Sequence, residues 1–275
     1  MALEGTIPPH LGNLSFLVSL DLSTNNFSGH LPYELFHLRR LKFMNLEINK
    51  FSGQLPSWLG VLAELQELIL YNNSFTGTIP PFLSNISMLE NLDLSSNFLH
   101  GMIPQEVGNL HHLKILNMQY NQFVGSVPLT IFNISSLQAI AFADNSLSAN
   151  LPMDMCHRLA NLQWLPLSFN ELHSKIPSSL YECSELQILS LSYNKFNVPI
   201  RRGIWNSTVL TGLFLGVNNL EGEIPEDIGN LRNLELLSID YARLIGRIPS
   251  SIFNITSLKG ISFMGNNLTG TIHLV

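Results

Sequence analysis

The chain has 275 residues and a mass of 30.8 kDa; it is 45% apolar and only 12% charged, with fourteen Lys and Arg against twenty Asp and Glu. A formal net charge of −6 argues against a nucleic-acid surface, which would carry a basic patch or stripe. The apolar content excludes disorder, and although mean hydropathy is +0.20, no run of about 18 apolar residues offers to span a bilayer.

An internal repeat organises everything else. The stretch LSFLVSLDLSTNNFSGHLPYELFHL, from Leu14 to Leu38, recurs along the whole chain. Asparagines fall in frame at Asn25, Asn49, Asn73, Asn97, Asn121, Asn145, Asn170, Asn194, Asn218 and Asn266, with Ala242 in the same frame. Nine of the ten intervals are 24 residues, and Asn145 to Asn170 is 25. Each unit reads LxxLxxLxLxxNxFxGxIPxxLGN, and a period of that size means a solenoid.

Within a unit the elements follow in order. The L-x-L pairs (Leu20/Leu22, Met44/Leu46, Leu68/Leu70, Leu92/Leu94, onward to Ile261/Phe263) alternate with polar neighbours, which predicts a short strand buried on one face. Stacked units then line one side with a parallel sheet. The asparagine turns the chain out of the strand, and its amide can satisfy backbone groups of neighbouring turns. Ala242 cannot do so, which predicts a gap in the ladder or a water there. Two residues on, Phe27, Phe51, Phe75, Leu99, Phe123, Leu147, Leu172, Phe196, Leu220, Leu244 and Leu268 should stack as an inner spine. Gly-x-Ile/Leu/Val-Pro then supplies a turn and an extended segment that proline keeps from pairing as a central strand. The closing LGNL segments are too short for a long helix and predict one turn of 3₁₀ or α-helix.

The unit resembles the leucine-rich repeat of the plant extracellular type, whose hallmark is L-x-G-x-I-P after the asparagine. The resemblance runs from Leu3-Glu4-Gly5-Thr6-Ile7-Pro8 to Leu268-Thr269-Gly270-Thr271-Ile272. It implies an α/β solenoid, a leucine-rich-repeat right-handed superhelix with a parallel concave β-sheet and short 3₁₀ or helical turns on the convex side. Residues 1–275 read as a single array of about eleven 24-residue units, uncapped at both ends and so a slice of a longer ectodomain, with a capless protein that pairs end to end as the alternative. The family includes ectodomains of plant receptor-like kinases and receptor-like proteins, and the polygalacturonase-inhibiting proteins. By resemblance, a peptide or protein ligand lies along the concave or lateral face, a leucine-rich-repeat co-receptor closes over it, and immune or developmental signalling passes to a kinase outside this chain. A secreted inhibitor of the polygalacturonase-inhibiting type and a truncated, non-functional relative are the competing readings.

Eight N-x-S/T sequons, at Asn13, Asn26, Asn72, Asn85, Asn133, Asn206, Asn254 and Asn267, fit a glycosylated, cell-surface location. Five share one frame, which the GNLS/NIS repeat motif would itself produce. Cys183 occupies the position of Leu14, Ile86 and Leu110, so a buried free thiol is its default reading. Cys156 lies in the one-residue insertion of the preceding unit, and a bridge needs Cα atoms within about 7 Å.

Catalysis is set aside. The histidines are scattered, with no H-E-x-x-H pair, no G-x-S-x-G elbow and no phosphate-binding loop, and nothing points to a cofactor or metal. The outward strand positions are four per unit: Ser19, Asp21, Ser23 and Thr24 in the first. Over eleven units they hold six acids (Asp21, Glu47, Glu67, Asp93, Asp144, Asp240) and no Lys or Arg, which favours a cationic or neutral partner. Eight aromatics stand there: Phe43, Tyr71, Tyr120, Trp164, Phe169, Tyr193, Phe214 and Tyr241. An apolar band runs from Ala139, Ala141 and Ala143 through Trp164, Pro166, Phe169 and Ile188 to Val217. In the same region the wall glycines become Ala149, Ser174 and Val198, and a wall proline becomes Arg201. The candidate ligand site is therefore Tyr120, Asp144, Trp164, Phe169, Tyr193, Phe214 and Tyr241, although strand-favouring aromatics would also stabilise one another across the sheet. A glycan on Asn72, itself an outward position, would obstruct the early units.

Overall fold

The computed structural model describes residues 2–197 and 202–270, apart from the side chains of Tyr181, Arg202 and Asn206. Val198 and Arg201, at which the wall pattern breaks, lie outside the described residues, as do Thr271 and Ile272. The chain forms two compact units, Met1–Ser146 and Leu147–Val275.

In the first unit the expected inner strands are Ser19–Asp21, Phe43–Asn45, Glu67–Ile69, Asn91–Asp93, Ile115–Asn117 and Ala139–Ala141. They pair in parallel with one repeat of offset, so that Leu20, Met44, Leu68, Leu92, Leu116 and Ile140 stack in one buried row. The second unit repeats the arrangement with Trp164–Pro166, Ile188–Ser190, Gly212–Phe214, Leu236–Ser238 and Gly260–Ser262. The apolar residues of the L-x-L pairs face inward because strand side chains alternate between faces, although Ile261 in the last strand is 47% exposed.

The spine forms as its spacing predicts. Phe27, Phe51 and Phe75 stack with ring centroids 6.2 and 6.4 Å apart and interplanar angles of 9° and 17°. Burial of such rings is the largest apolar gain available to each repeat. Each closing segment is a short 3₁₀ turn, such as Tyr33–His37, Ser57–Val61 and Gln105–Asn109. Proline precedes most of them with φ near −70° and its carbonyl accepts the first turn bond, as in Leu11 N–H to Pro8 O at 2.9 Å.

A second row of short parallel strands goes beyond the sequence reading. It comprises Asn26–Gly29, Lys50–Gln54, Ser74–Gly77, Phe98–Met102 and Gln122–Gly125 in the first unit. In the second, Glu171–Ser174 pairs with Lys195–Phe196, and Gly222–Glu223, Leu244–Gly246 and Asn267–Leu268 pair in turn. Repetition alone explains it: extended segments stacked at strand spacing place each backbone N–H opposite a carbonyl, and the following proline ends the pairing.

The asparagines bind one turn to the next. Asn97 donates through Nδ2 to the carbonyls of Leu70, Leu94 and Ser95 at 3.0–3.2 Å, and its Oδ1 accepts the Phe75 N–H at 3.0 Å. Each leucine carbonyl is shared by two successive asparagines, as Leu70 O is by Asn73 and Asn97, so the ladder satisfies three backbone groups per repeat out of reach of water. At Ala242 the expected gap is found. Asn218 serves Phe196 N–H in the usual way, but the corresponding N–H of buried Leu220 has no hydrogen-bond partner among the described residues. Asn266, in the next repeat, serves Leu244 N–H in the usual way and also accepts from Ala242 N–H, both at 3.0 Å.

The cysteines correct the default reading. Cys156 and Cys183 form a disulfide with Cα atoms 5.1 Å apart. The longer repeat creates the turn Met155–His157, which places Cys156 beside the end of the next turn, Ser178–Glu182. His157 Nε2 and Glu182 Oε2 pair across the same junction at 2.5 Å.

Candidate ligand-binding face

The outward face of the inner strands is shaped by one backbone rule. The residue before each in-frame asparagine, or before Ala242, has a positive φ, between 45° and 58° at Thr24, Ile48, Asn72, Ser96, Tyr120, Asp144, Phe169, Tyr193, Val217 and Tyr241, and 67° at Gly265. The inter-repeat ladder imposes it: Tyr193 N–H donates to Gly216 O at 2.9 Å, while Tyr193 O accepts from Asn170 N–H at 3.1 Å. A left-handed conformation costs a non-glycine residue about 1–2 kcal/mol, and these bonds offset it. The consequence is a column of side chains held at the rim of the face.

In the second unit that column includes three rings, Phe169, Tyr193 and Tyr241, with Val217 between the last two. Phe169 and Tyr193 stack with centroids 4.1 Å apart and 12° between planes. Trp164 is 48% exposed, Phe169 50%, Tyr193 48% and Tyr241 52%, and Phe214 is half-buried beside them. The structure thus brings five of the candidate residues onto one sheet face. Leu236, 45% exposed, also belongs to this surface and was not singled out from sequence.

Two glycines explain how bulky side chains lie flat there. A Cβ at Gly212 would meet Ile188 Cδ1 at 2.7 Å and the Phe214 ring at 3.0 Å, and a Cβ at Gly265 would run into the Tyr241 ring. Glycine at outward positions next to aromatic ones was the sequence signal for this packing. Small residues leave the room that the rings occupy.

The charge is also specific. The outward positions of this unit hold one ionisable acid, Asp240, and no Lys or Arg. Its carboxylate accepts from Ser262 Oγ at 2.5 Å, Met264 N–H at 2.7 Å and Ser238 Oγ at 2.9 Å. Ser168 and Ser190 hydroxyls bond each other at 2.6 Å.

The first unit carries the other two candidates, Tyr120 and Asp144, both exposed and both in the left-handed column. Its outward face mixes apolar residues, with Ile48 and Tyr71 exposed and Phe43 half-buried, and polar ones: Asp93 Oδ1 accepts from Ser95, and its Oδ2 accepts from Asn117 Nδ2 at 2.9 Å. Ala139, Ala141 and Ala143 are buried, so they form no part of an exposed band; a single methyl does not clear its taller neighbours. Of the sequons, Asn13, Asn85, Asn133 and Asn254 are exposed and each ends a 3₁₀ turn. Asn206 ends one too, but its side chain lies outside the described residues. Asn72 is exposed at an outward position, whereas Asn26 and Asn267 begin outer strands.

Comparison with known proteins agrees with this architecture. The family Leucine rich repeat matches residues 63–123, and Leucine Rich Repeat matches residues 16–38. No curated protein sequence matches the chain. Among solved structures, the plant peptide hormone receptor RGFR1 in complex with RGF2 is 36% identical, with a TM-score of 0.94 over 97% of this chain and 43% of that one. The leucine-rich-repeat ectodomain of the plant membrane receptor kinase GASSHO1/SCHENGEN3 from Arabidopsis thaliana, in complex with CASPARIAN STRIP INTEGRITY FACTOR 2, is 36% identical, with a TM-score of 0.93 over 99% and 32%. PEPR1–AtPEP1 is 34% identical, with a TM-score of 0.90 over 97% and 38%. The chain therefore belongs to the leucine-rich-repeat proteins of the plant extracellular type. Its likeness within them is to receptor-kinase ectodomains, of which it spans less than half the length. Among the described residues no helix is long and apolar enough to cross a membrane.

Proposed function

We propose that the chain is the ligand-recognition segment of a plant cell-surface leucine-rich-repeat receptor and that a peptide binds the outward sheet face of the second unit. The observation that carries this reading is the group of exposed aromatics Trp164, Phe169, Tyr193 and Tyr241 with Phe214 on one face. Soluble proteins seldom leave so large an apolar patch without a partner, and Trp and Tyr dominate binding hot spots. The receptor complexes it resembles suggest the ligand class: one is a plant peptide hormone receptor, RGFR1, in complex with RGF2. The role is binding rather than catalysis, with a kinase and a co-receptor as the further parts of the signalling unit. The disulfide supports an oxidising, extracellular location.

The test is capture. The low-mass peptide fraction of plant apoplastic fluid is passed over immobilised wild-type protein and over the Trp164→Ala/Phe214→Ala variant, and retained peptides are identified by mass spectrometry. Peptides held by the wild type and lost by the variant are expected, with far-ultraviolet circular dichroism unchanged. Equal retention by both proteins would remove the site.

A further inference from the structure

The face described above has a chemistry that narrows what it can hold. Among its outward positions there is no Lys or Arg, and the one carboxylate, Asp240, already accepts three hydrogen bonds. Three cations of this unit stand within two residues of its outward positions in sequence: Lys195, Arg243 and Lys259. Each is already matched to a carboxylate: Lys195 to Glu171 at 3.1 Å, Arg243 to Glu221 at 3.8 Å and Lys259 to Glu235 at 2.8 Å. A ligand carboxylate settling here would lose its water, gain no free cation and lie near those acids. Taking an unpaired carboxylate out of water is strongly unfavourable. A neutral ring loses nothing comparable and gains contact with Trp164 and with the Phe169–Tyr193 stack.

We infer that the second unit reads a peptide segment that contains an aromatic side chain and is free of carboxylates, with neither Asp, Glu nor the peptide's own C-terminus seated on this face. The inference rests on the peptide-binding reading above and specifies its ligand. Charge complementarity selects this occupant: basic side chains are tolerated on such a face, acidic ones are rejected, and rings are rewarded. The left-handed column does the reading, because its backbone bonds fix where Phe169, Tyr193 and Tyr241 stand before any ligand arrives. Such preorganised anchors bind with little loss of side-chain freedom.

A phage-displayed library of random 12-residue peptides (about that length spans several repeats at strand rise) is panned on the immobilised protein, then counter-selected on the Phe169→Ala/Tyr193→Ala variant. The expected survivors contain Phe, Tyr or Trp, are depleted in Asp and Glu, and bind the variant about tenfold or more weakly, as loss of a hot-spot aromatic predicts. For one survivor made synthetically, an aromatic→Asp change should abolish binding, and the Ser192→Arg protein should recover part of it by supplying the missing cation. Survivors rich in Asp or Glu that still depend on Phe169 and Tyr193 would overturn this inference and leave the peptide-binding reading standing. Absence of any survivor that distinguishes wild type from the variant would overturn both. Circular dichroism of each variant separates lost binding from lost fold.

Discussion

The two units are built on the same repeat and differ in the charge of their outward positions. In Met1–Ser146 the outward positions carry five acids, Asp21, Glu47, Glu67, Asp93 and Asp144, among Ser, Thr and Asn and a few apolar residues such as Phe43, Tyr71 and Tyr120. In the unit from Leu147 onward they carry five rings among Ser, Gly and aliphatic residues, and a single acid, Asp240, tied down by three donors. The buried rows do not differ: Leu94 and Leu191 both have zero exposure and occupy the same place in their repeats. The ladder, spine and 3₁₀ turns fix the coil, which leaves the outward positions free to vary. The departures from the repeat, among them the disulfide, Ala149, Ser174 and Ala242, all fall in the unit with the aromatic face.

If the scaffold is common and only the face varies, core truncations should cost the same in both units. Leu94→Ala and Leu191→Ala should each lose about 2–5 kcal/mol by cavity formation, read from urea unfolding followed by circular dichroism. A cost several-fold larger in one unit would show that the scaffolds are not equivalent. The disulfide is the next largest difference. Its 27-residue separation predicts a loss of about 3.5 kcal/mol on Cys156→Ser/Cys183→Ser from chain entropy. Native-state hydrogen exchange should show the loss in residues 147–270 and spare the inner strands Ser19–Asp21 to Asn91–Asp93.

Much of this was legible in the sequence because a repeat multiplies weak signals. One L-x-L pair proves little; eleven in register define a sheet, and ten asparagines define the ladder. The outer strands were not legible, since NFSG has no marked strand pattern and pairs only because identical segments lie alongside it. The bridge between Cys156 and Cys183 depends on a distance set by the extra residue of one repeat, which spacing alone does not supply. The aromatic face was half legible. Trp164, Phe169, Tyr193, Phe214 and Tyr241 were found by position, but position cannot separate exposed Trp164 from buried Ala141, because side-chain length relative to neighbours decides that.

The asparagine ladder offers a smaller contrast. In the first unit Asn97→Ala should leave the Phe75 N–H without its acceptor and the Ser95 carbonyl without its amide, at a cost of about 1–3 kcal/mol, while Leu70 O keeps Asn73 and Leu94 O keeps Asn121. In the second unit that cost is built in at Ala242, so Ala242→Asn should stabilise the protein by about 1 kcal/mol by accepting from Leu220 N–H. Amide exchange at Leu220 should slow in the same variant. An unchanged exchange rate there would mean that the left-handed Arg243, with φ of 52°, holds the turn in a form the amide cannot enter.

The smallest effect concerns the wall turns. Gly53, Gly77 and Gly101 hold φ between 81° and 85°, which costs glycine nothing. In the second unit Ala149 and Ser174 keep the same turn at φ of 86° and 70°, where a Cβ meets the backbone. The ladder is what prevents relaxation: Asn197 N–H donates to Ser174 O at 3.1 Å, and His173 and Ser174 pair with Lys195 and Phe196. Ser174→Gly should therefore stabilise by about 1 kcal/mol, the strain relieved less the extra freedom glycine gives the unfolded chain. The reverse change, Gly77→Ala, should destabilise by more, because its Cβ would also press on Gln54 Cγ at 2.9 Å. Thermal unfolding of the pair measures the difference directly. If Ser174→Gly instead lowers stability, the side chain does more than tolerate the turn, and its Oγ contact with His173 Nδ1 at 3.1 Å is the interaction to remove next.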